Sequence, residues 1–527
     1  MNADLDRLAD RHFRPDPEGQ LAPPTDARQG RVLVGADSGT AATKAGQHAL
    51  WMLTNLLCRQ FRLVTSIGFE IPATIPLQPR VAAFGGAPLL ADALKNCVRL
   101  VAGAHVGICD AESVDGAAYD FEIVIGRPCR SPRAPLRLIA IAEGWRLYLG
   151  RDLWIPDHPP SSDLSFAPYM VACFAAGEVF KRLRGMKEGK GAFIDEGKPL
   201  FLSVWSGSKG ESWADLDSGP SVDGLSFPAL YFAGAGAVAQ AAGLTLGGLL
   251  DVNGHATVVD PDTLDLTNDN RYVLSTINHD QQPKAPLLAA FLSERGFSQY
   301  PFEGSWQAYV TRQDREANRE DLAGLERRFL YRLILSCVDD NGARHSIQNL
   351  WPDLIIGGST YGLTAKAITF DMASGQRCLK CFNPVDDRNV KVRARLKEAR
   401  LMTPERRESF FRALGVDPVA ANQHLRQPEC GQLSEADLNR FAADDPAMSI
   451  GFVSVAAGIL LAIQVARLEL AGRDALTERG AILMANFYKP GLRWLPSLPE
   501  SECDCIRRRV SDWAAQWPGY LKGGGYG

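Results

Sequence analysis

The sequence predicts an α/β protein made of two related halves. Strand-like apolar segments alternate with helical ones in a β-α-β order over residues 31–71, and the same order starts again at 228–262. A long apolar helix closes each run, near 166–185 and near 449–470, and the two helices look alike. A segment rich in Ser, Gly and Asp lies between the runs, as is typical of a linker. We therefore expect one α/β unit to be used twice.

Length, composition and charge narrow the class of protein. The chain has 527 residues, 46% apolar and 22% charged, which is typical of a globular protein of roughly two to four domains. Its net charge of −4 provides no excess of positive charge that would attract nucleic acid. The longest apolar stretch, 451–465, is shorter than the ~20 residues of a membrane-spanning helix, and the N-terminus has no apolar signal core. We expect a cytoplasmic protein that binds neither nucleic acid nor membrane.

Local patterns place the elements and the domain boundaries. A charged, helix-like stretch interrupts the second half and predicts an inserted helical subdomain. The predicted strands lie near 31–37, 62–71, 105–111, 120–126, 136–144, 228–236, 254–262, 328–340, 352–360 and 365–372, and the predicted helices near 45–61, 166–185, 237–252 and 449–470. The predicted domains are 1–204, 205–381, the insertion 382–446, 447–520 and a flexible tail 521–527.

A glycine turn opens the second half, in the stretch FAGAGAVAQ. Gly234, Gly236 and Ala239 form G-x-G-x-x-A after a strand and before a helix, the context in which such turns bind phosphates. Gly236 would let backbone N–H groups approach an anion at the helix N-terminus. Asp260 follows the next strand, where a carboxylate accepts hydrogen bonds from ribose hydroxyls of either NAD or ATP. A dehydrogenase, an ATP-consuming ligase and a plain tight turn all remain open at this point.

The residues beyond Asp260 favour ATP. Asn268 and Arg271 lie just past the strand, and Lys284 follows thirteen residues after Arg271. Attack on the α-phosphate of ATP develops charge on phosphoryl oxygens, which Arg and Lys stabilise, whereas hydride transfer needs no such pair. The candidate nucleotide-binding residues are Gly234, Gly236, Asp260, Asp262, Asn268, Arg271 and Lys284.

This ordered set resembles the adenylation domain of ubiquitin-activating enzymes and of bacterial sulfur-carrier adenylating enzymes. The family pattern is a glycine turn, then D-x-D, N-x-x-R and Lys, and all four pieces occur within 229–290. The third glycine of the usual turn is alanine here. The resemblance implies that Asp260 binds ribose and that Arg271 and Lys284 bind phosphates and act in catalysis.

The same family carries an Asp near Mg²⁺ and the α-phosphate after a later strand. The stretch SCVDDNGARH offers Asp339, five residues before Arg344, and Asp340, which is followed by Asn. A carboxylate combined with ATP oxygens suits magnesium. We favour Asp339 as the catalytic and metal-binding residue and keep Asp340; a turn cap is the alternative role for one of the two.

Four of the eleven cysteines predict a zinc site. Cys378 and Cys381 form C-x-x-C, and Cys503 and Cys505 form C-x-C near the C-terminus. Two close pairs fit tetrahedral Zn²⁺ with sulfur ligands, and the resembling family often has a C-x-x-C and a second pair near its end. A redox pair at Cys378 and Cys381 is the weaker alternative, because it leaves the other pair unexplained. An odd number of cysteines in a large chain argues against a disulfide framework.

Cys430 lies in the predicted insertion, in LRQPECGQLSEADLNRF. Ubiquitin-activating enzymes place their thioester cysteine in such an insertion, so the resemblance implies that role for Cys430. Thioester exchange needs an accessible thiol that can become a thiolate, and the polar flanking residues favour exposure. An incidental surface cysteine is the alternative, and sulfur-carrier activators often have no thioester step.

The first half lacks the nucleotide-binding set. Gly35 and Gly39 remain, but the tight G-x-G and the acidic and cationic series do not. The resemblance covers 205–500 well and 1–200 only in outline. The first half resembles the inactive adenylation half of ubiquitin-activating enzymes, whose N-terminal arginine reaches the ATP of the active half. The candidates for that arginine are Arg7, Arg11 and Arg14, with a plain amphipathic helix as the alternative.

Taken together, the resemblance implies two Rossmann-like adenylation halves that form a pseudo-dimer, the first inactive and the second active. It implies adenylation of a ubiquitin-like protein at its C-terminal glycine, a thioester on Cys430 and transfer to a conjugating enzyme, with ATP, Mg²⁺ and Zn²⁺. Two-half prokaryotic members occur in antiphage conjugation operons, which suggests that context; homodimerisation stays open. The rivals are an adenylating enzyme that acts on a sulfur carrier or peptide without a thioester, an NAD-dependent oxidoreductase, and a scaffold with a decayed nucleotide site.

Overall fold

Two units make up the chain in the computed structural model. One comprises Met1–Phe382 with Met448–Gly527, and the other is Asn383–Ala447, whose limits lie within one residue of the predicted insertion 382–446. The structure describes residues 3–110, 119–151, 162–194, 196, 198–222, 224–317, 332–373, 375–383, 388–426, 433, 437, 440, 441, 448–501, 503 and 505–517.

Two mixed sheets of eight strands each form the larger unit. When the strands of each sheet are numbered along the chain from 1 to 8, both sheets have the spatial order 3-2-1-4-5-6-7-8. In each sheet, strands 1 to 5 pair in parallel and strands 6 to 8 are added antiparallel. The 3-2-1-4-5 part is the order of a Rossmann-like sheet. The first sheet contains β1 Gly30–Ala36, β2 Val64–Glu70, β3 Gly107–Asp110, β4 Phe121–Ile125, β5 Leu136–Glu143, β6 Arg146–Gly150, β7 Leu200–Ser203 and β8 Lys209–Gly210. The second contains β9 Leu225–Ala233, β10 Val252–Val259, β11 Phe297–Phe302, β12 Leu333–Ser336, β13 Leu354–Tyr361, β14 Thr364–Asp371, β15 Ile482–Asn486 and β16 Gly491–Leu495.

The helices occupy matching places in the two halves. One follows the first strand of each sheet, and a long apolar one joins the sixth strand to the seventh in each. This repetition confirms the prediction of two related α/β halves. The helices are α1 Ala3–Ala9, α2 Ser38–Ala42, α3 Lys44–Cys58, α4 Leu90–Ala102, α5 Phe166–Arg184, α6 Ala237–Gly247, α7 Lys284–Glu294, α8 Trp306–Ala317, α9 Asn341–Asn349, α10 Leu379–Phe382, α11 Arg388–Arg400, α12 Pro404–Ala413, α13 Pro418–Arg426, α14 Gly451–Ala471, α15 Cys505–Arg508 and α16 Ala514–Gln516.

Helix α14 corrects the argument from length about a membrane span. It has 21 residues, so by length and apolarity alone it is long enough to cross a bilayer, and the argument from the shorter stretch 451–465 was wrong. Within the protein, 94% of its apolar window is buried, against α6, α5 and the second sheet. The approach to α6 requires glycine at Gly458, because a Cβ there would lie 2.5 Å from the Cβ of Ala241. The helix is therefore a core element.

The antiparallel strands β6, β7, β15 and β16 were not predicted from the sequence, whereas the antiparallel β14 was predicted at 365–372. β6, β7, β15 and β16 have only four or five residues each, and so short a run carries too little periodicity to identify a strand. Because β8 at Lys209–Gly210 belongs to the first sheet, the first half extends past the predicted boundary at residue 204.

The smaller unit, Asn383–Ala447, is helical in its described part. It contains α11, α12 and α13 and has a core of its own. The buried side chains of that core include Val392, Ala399, Phe411, Val416 and Phe441.

Buried polar contacts from the first half hold the loop that follows β10. Arg59, 1% exposed, donates to the carbonyl oxygens of Asp269 at 2.5 Å and Ser275 at 2.7 Å. Asn55 receives the Nε–H of Arg59 at 2.6 Å and donates to the carbonyl oxygen of Val273 at 3.1 Å. Buried carbonyl oxygens are costly to leave unpaired, so these two side chains fix the course of the loop.

Replacing Arg59 tests this dependence. We expect Arg59→Leu to lower the free energy of unfolding by about 3 kcal/mol, because several buried carbonyl oxygens lose their partner. Urea unfolding followed by circular dichroism measures the change. Arg99→Leu, at an exposed position on α4, is the control and should shift it by less than about 0.5 kcal/mol. Equal effects of the two substitutions would contradict the assignment.

Candidate active site

The glycine turn between β9 and α6 leaves a helix N-terminus open. Gly234 has φ +95°, and a Cβ there would lie 2.9 Å from the carbonyl oxygen of Cys337, so the position requires glycine. Gly236 is the N-cap of α6, which begins without any hydrogen bond from a capping side chain. The first N–H groups of α6 therefore remain available to an anion.

Asp260 ties the glycine turn to the loop after β10. Its side chain is 7% exposed, and its two oxygens accept the backbone N–H groups of Ala235 at 2.6 Å and Asp262 at 2.9 Å. Burial raises the pKa of Asp260. A carboxylate oxygen can accept more than one hydrogen bond, so the group keeps capacity for a ribose hydroxyl.

Arg271 uses only part of its guanidinium group in hydrogen bonds to the described residues. One terminal nitrogen donates to the carbonyl oxygen of Thr267 at 2.8 Å and to Oδ1 of Asn270 at 2.9 Å. In the described chain the other guanidinium nitrogens make no hydrogen bond. Burial lowers the pKa of Arg271 from its very high ordinary value, and arginine stays charged at neutral pH. The group can therefore offer free donors to an anionic ligand.

The carboxylate of Asp262 and the aromatic ring of Tyr272 hold the ammonium group of Lys284 near Arg271. Its ammonium donates to Oδ2 of Asp262 at 2.8 Å and lies 5.7 Å from the ring centre of Tyr272, which is 5.3 Å from the guanidinium carbon of Arg271. Burial acts to lower the pKa of Lys284, but Tyr272 and Asp262 together raise it. Asp262, whose side chain is 63% exposed, therefore positions the lysine.

The two neighbouring acids after β12 have different roles. Asp340 is the N-cap of α9 and accepts the N–H of Ala343 at 2.5 Å. Within the described residues, the carboxylate of Asp339 makes no hydrogen bond or salt bridge. Asp340 is thus occupied as a helix cap, while Asp339 has free oxygens of the kind that magnesium prefers.

One cavity of about 420 Å³ gathers most of the candidate residues. Asn268 is not among the residues that line it: its side-chain Oδ1 accepts the backbone N–H of Asp265 at 3.3 Å in a reciprocal cap. The candidates that line the cavity are Gly234, Gly236, Asp260, Asp262, Arg271, Lys284, Asp339 and Asp340. Further lining residues, not proposed from the sequence, include Tyr272, Ser305, Trp306, Gln307, Cys337, Thr360, Ser449 and Ser454.

A single rule would have found some of the missed residues. Ser305, Trp306 and Gln307 follow β11, and the carboxyl ends of parallel strands meet at one edge of a sheet, where ligands bind. Because β11 was not predicted from the sequence, the rule could not be applied to the residues that follow it.

Of the three N-terminal arginines, Arg11 is the one that lies within electrostatic range of the cavity residues Arg271 and Tyr272. Burial, together with repulsion from Arg271, lowers the pKa of Arg11, and its carbonyl oxygen accepts the N–H of Ser449 at 3.4 Å. Arg7 is paired with Asp265 at 3.6 Å, and Arg14 with its near neighbour Asp10 at 3.0 Å.

The four predicted zinc ligands converge on one point. The sulfurs of Cys378, Cys381, Cys503 and Cys505 all lie within 4.8 Å of one another. The sulfur of Cys378 is 3.6 Å from that of Cys381 and 3.7 Å from that of Cys503, and Cys381 is 3.4 Å from Cys505. A tetrahedral zinc with Zn–S bonds of ~2.3 Å requires sulfurs roughly 3.8 Å apart, so the donor set and spacing fit Zn²⁺.

One thiol of this cluster, that of Cys378, favours the thiolate, whereas burial raises the pKa of Cys503 and the hydrogen bond with Cys378 raises that of Cys505. Hydrogen bonding by the Cys505 thiol, with further help from Cys381 and Cys503, lowers the pKa of Cys378 to about 5. Zinc binds the thiolate form. Cys430, the predicted thioester cysteine, lies outside the described residues.

Comparisons with known proteins give only a distant structural likeness. No protein-family model and no curated protein sequence matches the chain. Crystal structures of E. coli MccB with ATP, with succinimide and with MccA-N7isoASN share 11% identity with it at a TM-score of 0.33. The match covers 53% of this chain and 66% of MccB, slightly under two thirds of the latter. At this TM-score the likeness adds no argument to the geometry of the site.

Metal analysis tests the cysteine cluster. We expect one zinc per chain in the purified protein, because four sulfurs at tetrahedral spacing bind Zn²⁺ tightly. Cys378→Ser should lose the zinc and unfold at a lower temperature, as should the wild type treated with a chelator. Cys129→Ser, which replaces an exposed cysteine elsewhere, should keep it. Full-length, folded protein with no zinc would contradict the assignment.

Proposed function

We propose that this protein adenylates the carboxyl terminus of another polypeptide with ATP, and that this polypeptide is a ubiquitin-like protein. The single observation that carries the proposal is the cavity in which Asp260, Arg271, Lys284 and Asp339 meet beside an uncapped helix N-terminus. An acid for ribose, donors for phosphates and a free carboxylate for magnesium are together what an ATP site needs. A hydride-transfer site has no use for two cations at this place.

The residues of the cavity would act on the α-phosphate. An oxygen of the substrate carboxylate attacks the α-phosphorus, and the bond to the bridging oxygen of the β-phosphate breaks, so that pyrophosphate leaves with the electron pair. Negative charge grows on the phosphoryl oxygens, and the free donors of Arg271 and the ammonium of Lys284 stabilise it. Arg11, which is within electrostatic range of Arg271, would add a third cation.

Magnesium and zinc would have separate roles. Asp339, with its free oxygens, would hold Mg²⁺, which neutralises charge on the phosphates of ATP. Zinc on the four cysteines would be structural, because four protein sulfurs leave no open position for a substrate.

The finer steps rest on the resemblance of the sequence to ubiquitin-activating enzymes. On this resemblance the thiolate of Cys430 attacks the acyl carbon of the adenylate, AMP departs, and the resulting thioester passes to a conjugating enzyme. The biological context would be antiphage defence. The alternative is an enzyme that adenylates a sulfur carrier or peptide and stops there.

Exchange of labelled pyrophosphate into ATP tests the adenylation step. With a β-grasp protein ending in glycine present, we expect exchange in the wild type and a roughly 10²- to 10³-fold lower rate in Arg271→Ala and in Lys284→Met, because each removes charge stabilisation. Arg99→Ala, an exposed arginine, is the control and should exchange normally. Tight NAD binding without exchange would favour an oxidoreductase instead.

Substitution of Cys430 separates the two versions of the proposal. We expect Cys430→Ala to retain pyrophosphate exchange and to lose a thiol-sensitive covalent adduct with the substrate protein, because only the second step uses the thiolate. Gel electrophoresis with and without reducing agent detects that adduct. If the variant yields everything that the wild type yields, the enzyme stops at the adenylate.

A further inference from the structure

The first half keeps a loop built like the one that carries Arg271. Each of these loops follows the second strand of its sheet and leads into a helix, α4 in one half and α7 in the other. Each is closed by an isolated antiparallel β-bridge, and Arg80 lies inside the first loop as Arg271 lies inside the second. The bridges join Pro76 with Leu89 and Thr263 with Pro283.

Two arginines join this first loop to the second half, and a buried lysine lies within electrostatic range of both. Arg80 donates to the carbonyl oxygen of Leu249 at 2.8 Å, and Arg295, just after α7, donates to that of Ala82 at 2.8 Å. The two arginines thus reach across the junction in opposite directions. Lys44, the first residue of α3, lies within electrostatic range of both. Lys44 and Arg295 are only 7% and 6% exposed.

No salt bridge neutralises these cations in the part of the chain that the structure describes. Among the described residues, none of Lys44, Arg80 and Arg295 forms a salt bridge, and the ammonium of Lys44 makes no hydrogen bond. The carboxylates of Asp163 and Asp251 act on Lys44 electrostatically but are exposed and do not pair with it. Like charges buried without a partner are costly, so the arrangement calls for a negative ligand.

A buried hydroxyl beside the cations supplies a further donor. The hydroxyl of Tyr169 is fully buried and has no hydrogen-bond partner in the described chain. Its ring meets that of His48 edge-on, with centroids 5.1 Å apart, and His48 lies one helical turn after Lys44. Burial lowers the pKa of His48 to about 3, so this imidazole is neutral and adds no charge.

We propose that Lys44, Arg80 and Arg295 form a binding site for a phosphate-sized oxyanion at the junction of the two halves. Such an ion would supply the missing negative charge and accept hydrogen bonds from the guanidinium groups of the two arginines. It would also lie near the N-terminus of α3, where anions are favoured. None of the three residues lines the cavity of the candidate active site, so this site is separate and does not rest on the proposed function.

Thermal unfolding and calorimetric titration of the full chain test the site with sodium phosphate. At equal ionic strength we expect phosphate, but not chloride, to raise the unfolding temperature of the wild type, because a ligand of the folded state stabilises it. Lys44→Met and Arg80→Gln should each bind phosphate at least about tenfold more weakly, having lost a charge-assisted contact. In chloride, Lys44→Met should also unfold at a higher temperature than the wild type, since a buried unpaired charge is gone.

Two controls keep the result specific. Lys190→Met, at an exposed position, should respond to phosphate like the wild type, and the response should persist in Arg271→Ala, which removes a cation of the other cavity. Glycerol 3-phosphate in place of phosphate distinguishes an esterified from a free phosphate group. Absence of any response to both compounds in the wild type, or a response in Lys44→Met and Arg80→Gln as strong as that of the wild type, would overturn the proposal.

Discussion

The course of one loop decides whether the candidate active site exists. The loop between β10 and α7 carries both Asp262 and Arg271, yet its one regular element is the short 3₁₀ turn Leu266–Asn268. Such a segment has little stability of its own. It is held instead by buried side chains of the first half: Arg59 and Asn55 bind its carbonyl oxygens. The first half therefore acts on the cavity through packing, although it contributes no set of nucleotide-binding residues.

The N-terminal segment adds to the same constraint. Asn270 donates to the carbonyl oxygen of Leu8 at 2.9 Å, and Arg11 lies within electrostatic range of Arg271. A cation of the first half thus acts electrostatically on Arg271. This placement gives a physical reason why the two halves would act as one unit.

The halves differ through a few residues on a shared framework. In the second half, Asp260 follows the second strand and faces the cavity. In the first half the residue at the end of β2 is Glu70, which is paired with Arg130 and lies 4.0 Å from Arg133. Asp37, after β1, caps α2 where the second half has its glycine turn. The same sheet order therefore holds an open cavity in one half and internally paired side chains in the other.

Local sequence signals predicted the parts of the fold and site that depend on local chemistry. The parallel strands other than β11, the glycine turn and the two cysteine pairs are each recognisable from residues close in the chain. The capping roles of Asn268 and Asp340 were harder to predict, because the same local sequence pattern allows a polar residue either to cap a helix or to bind a ligand. Contacts between the halves, such as those of Arg59, join residues more than 200 positions apart and leave no local pattern to read.

The fate of carboxylate oxygen tests the central claim most directly. A substrate protein labelled with ¹⁸O at its C-terminal carboxylate would be turned over with ATP and a thiol acceptor, and the AMP analysed by mass spectrometry. If the carboxylate attacks the α-phosphate in this cavity, AMP carries one labelled oxygen from the substrate. Turnover that yields unlabelled AMP, or that yields ADP instead, would contradict the account.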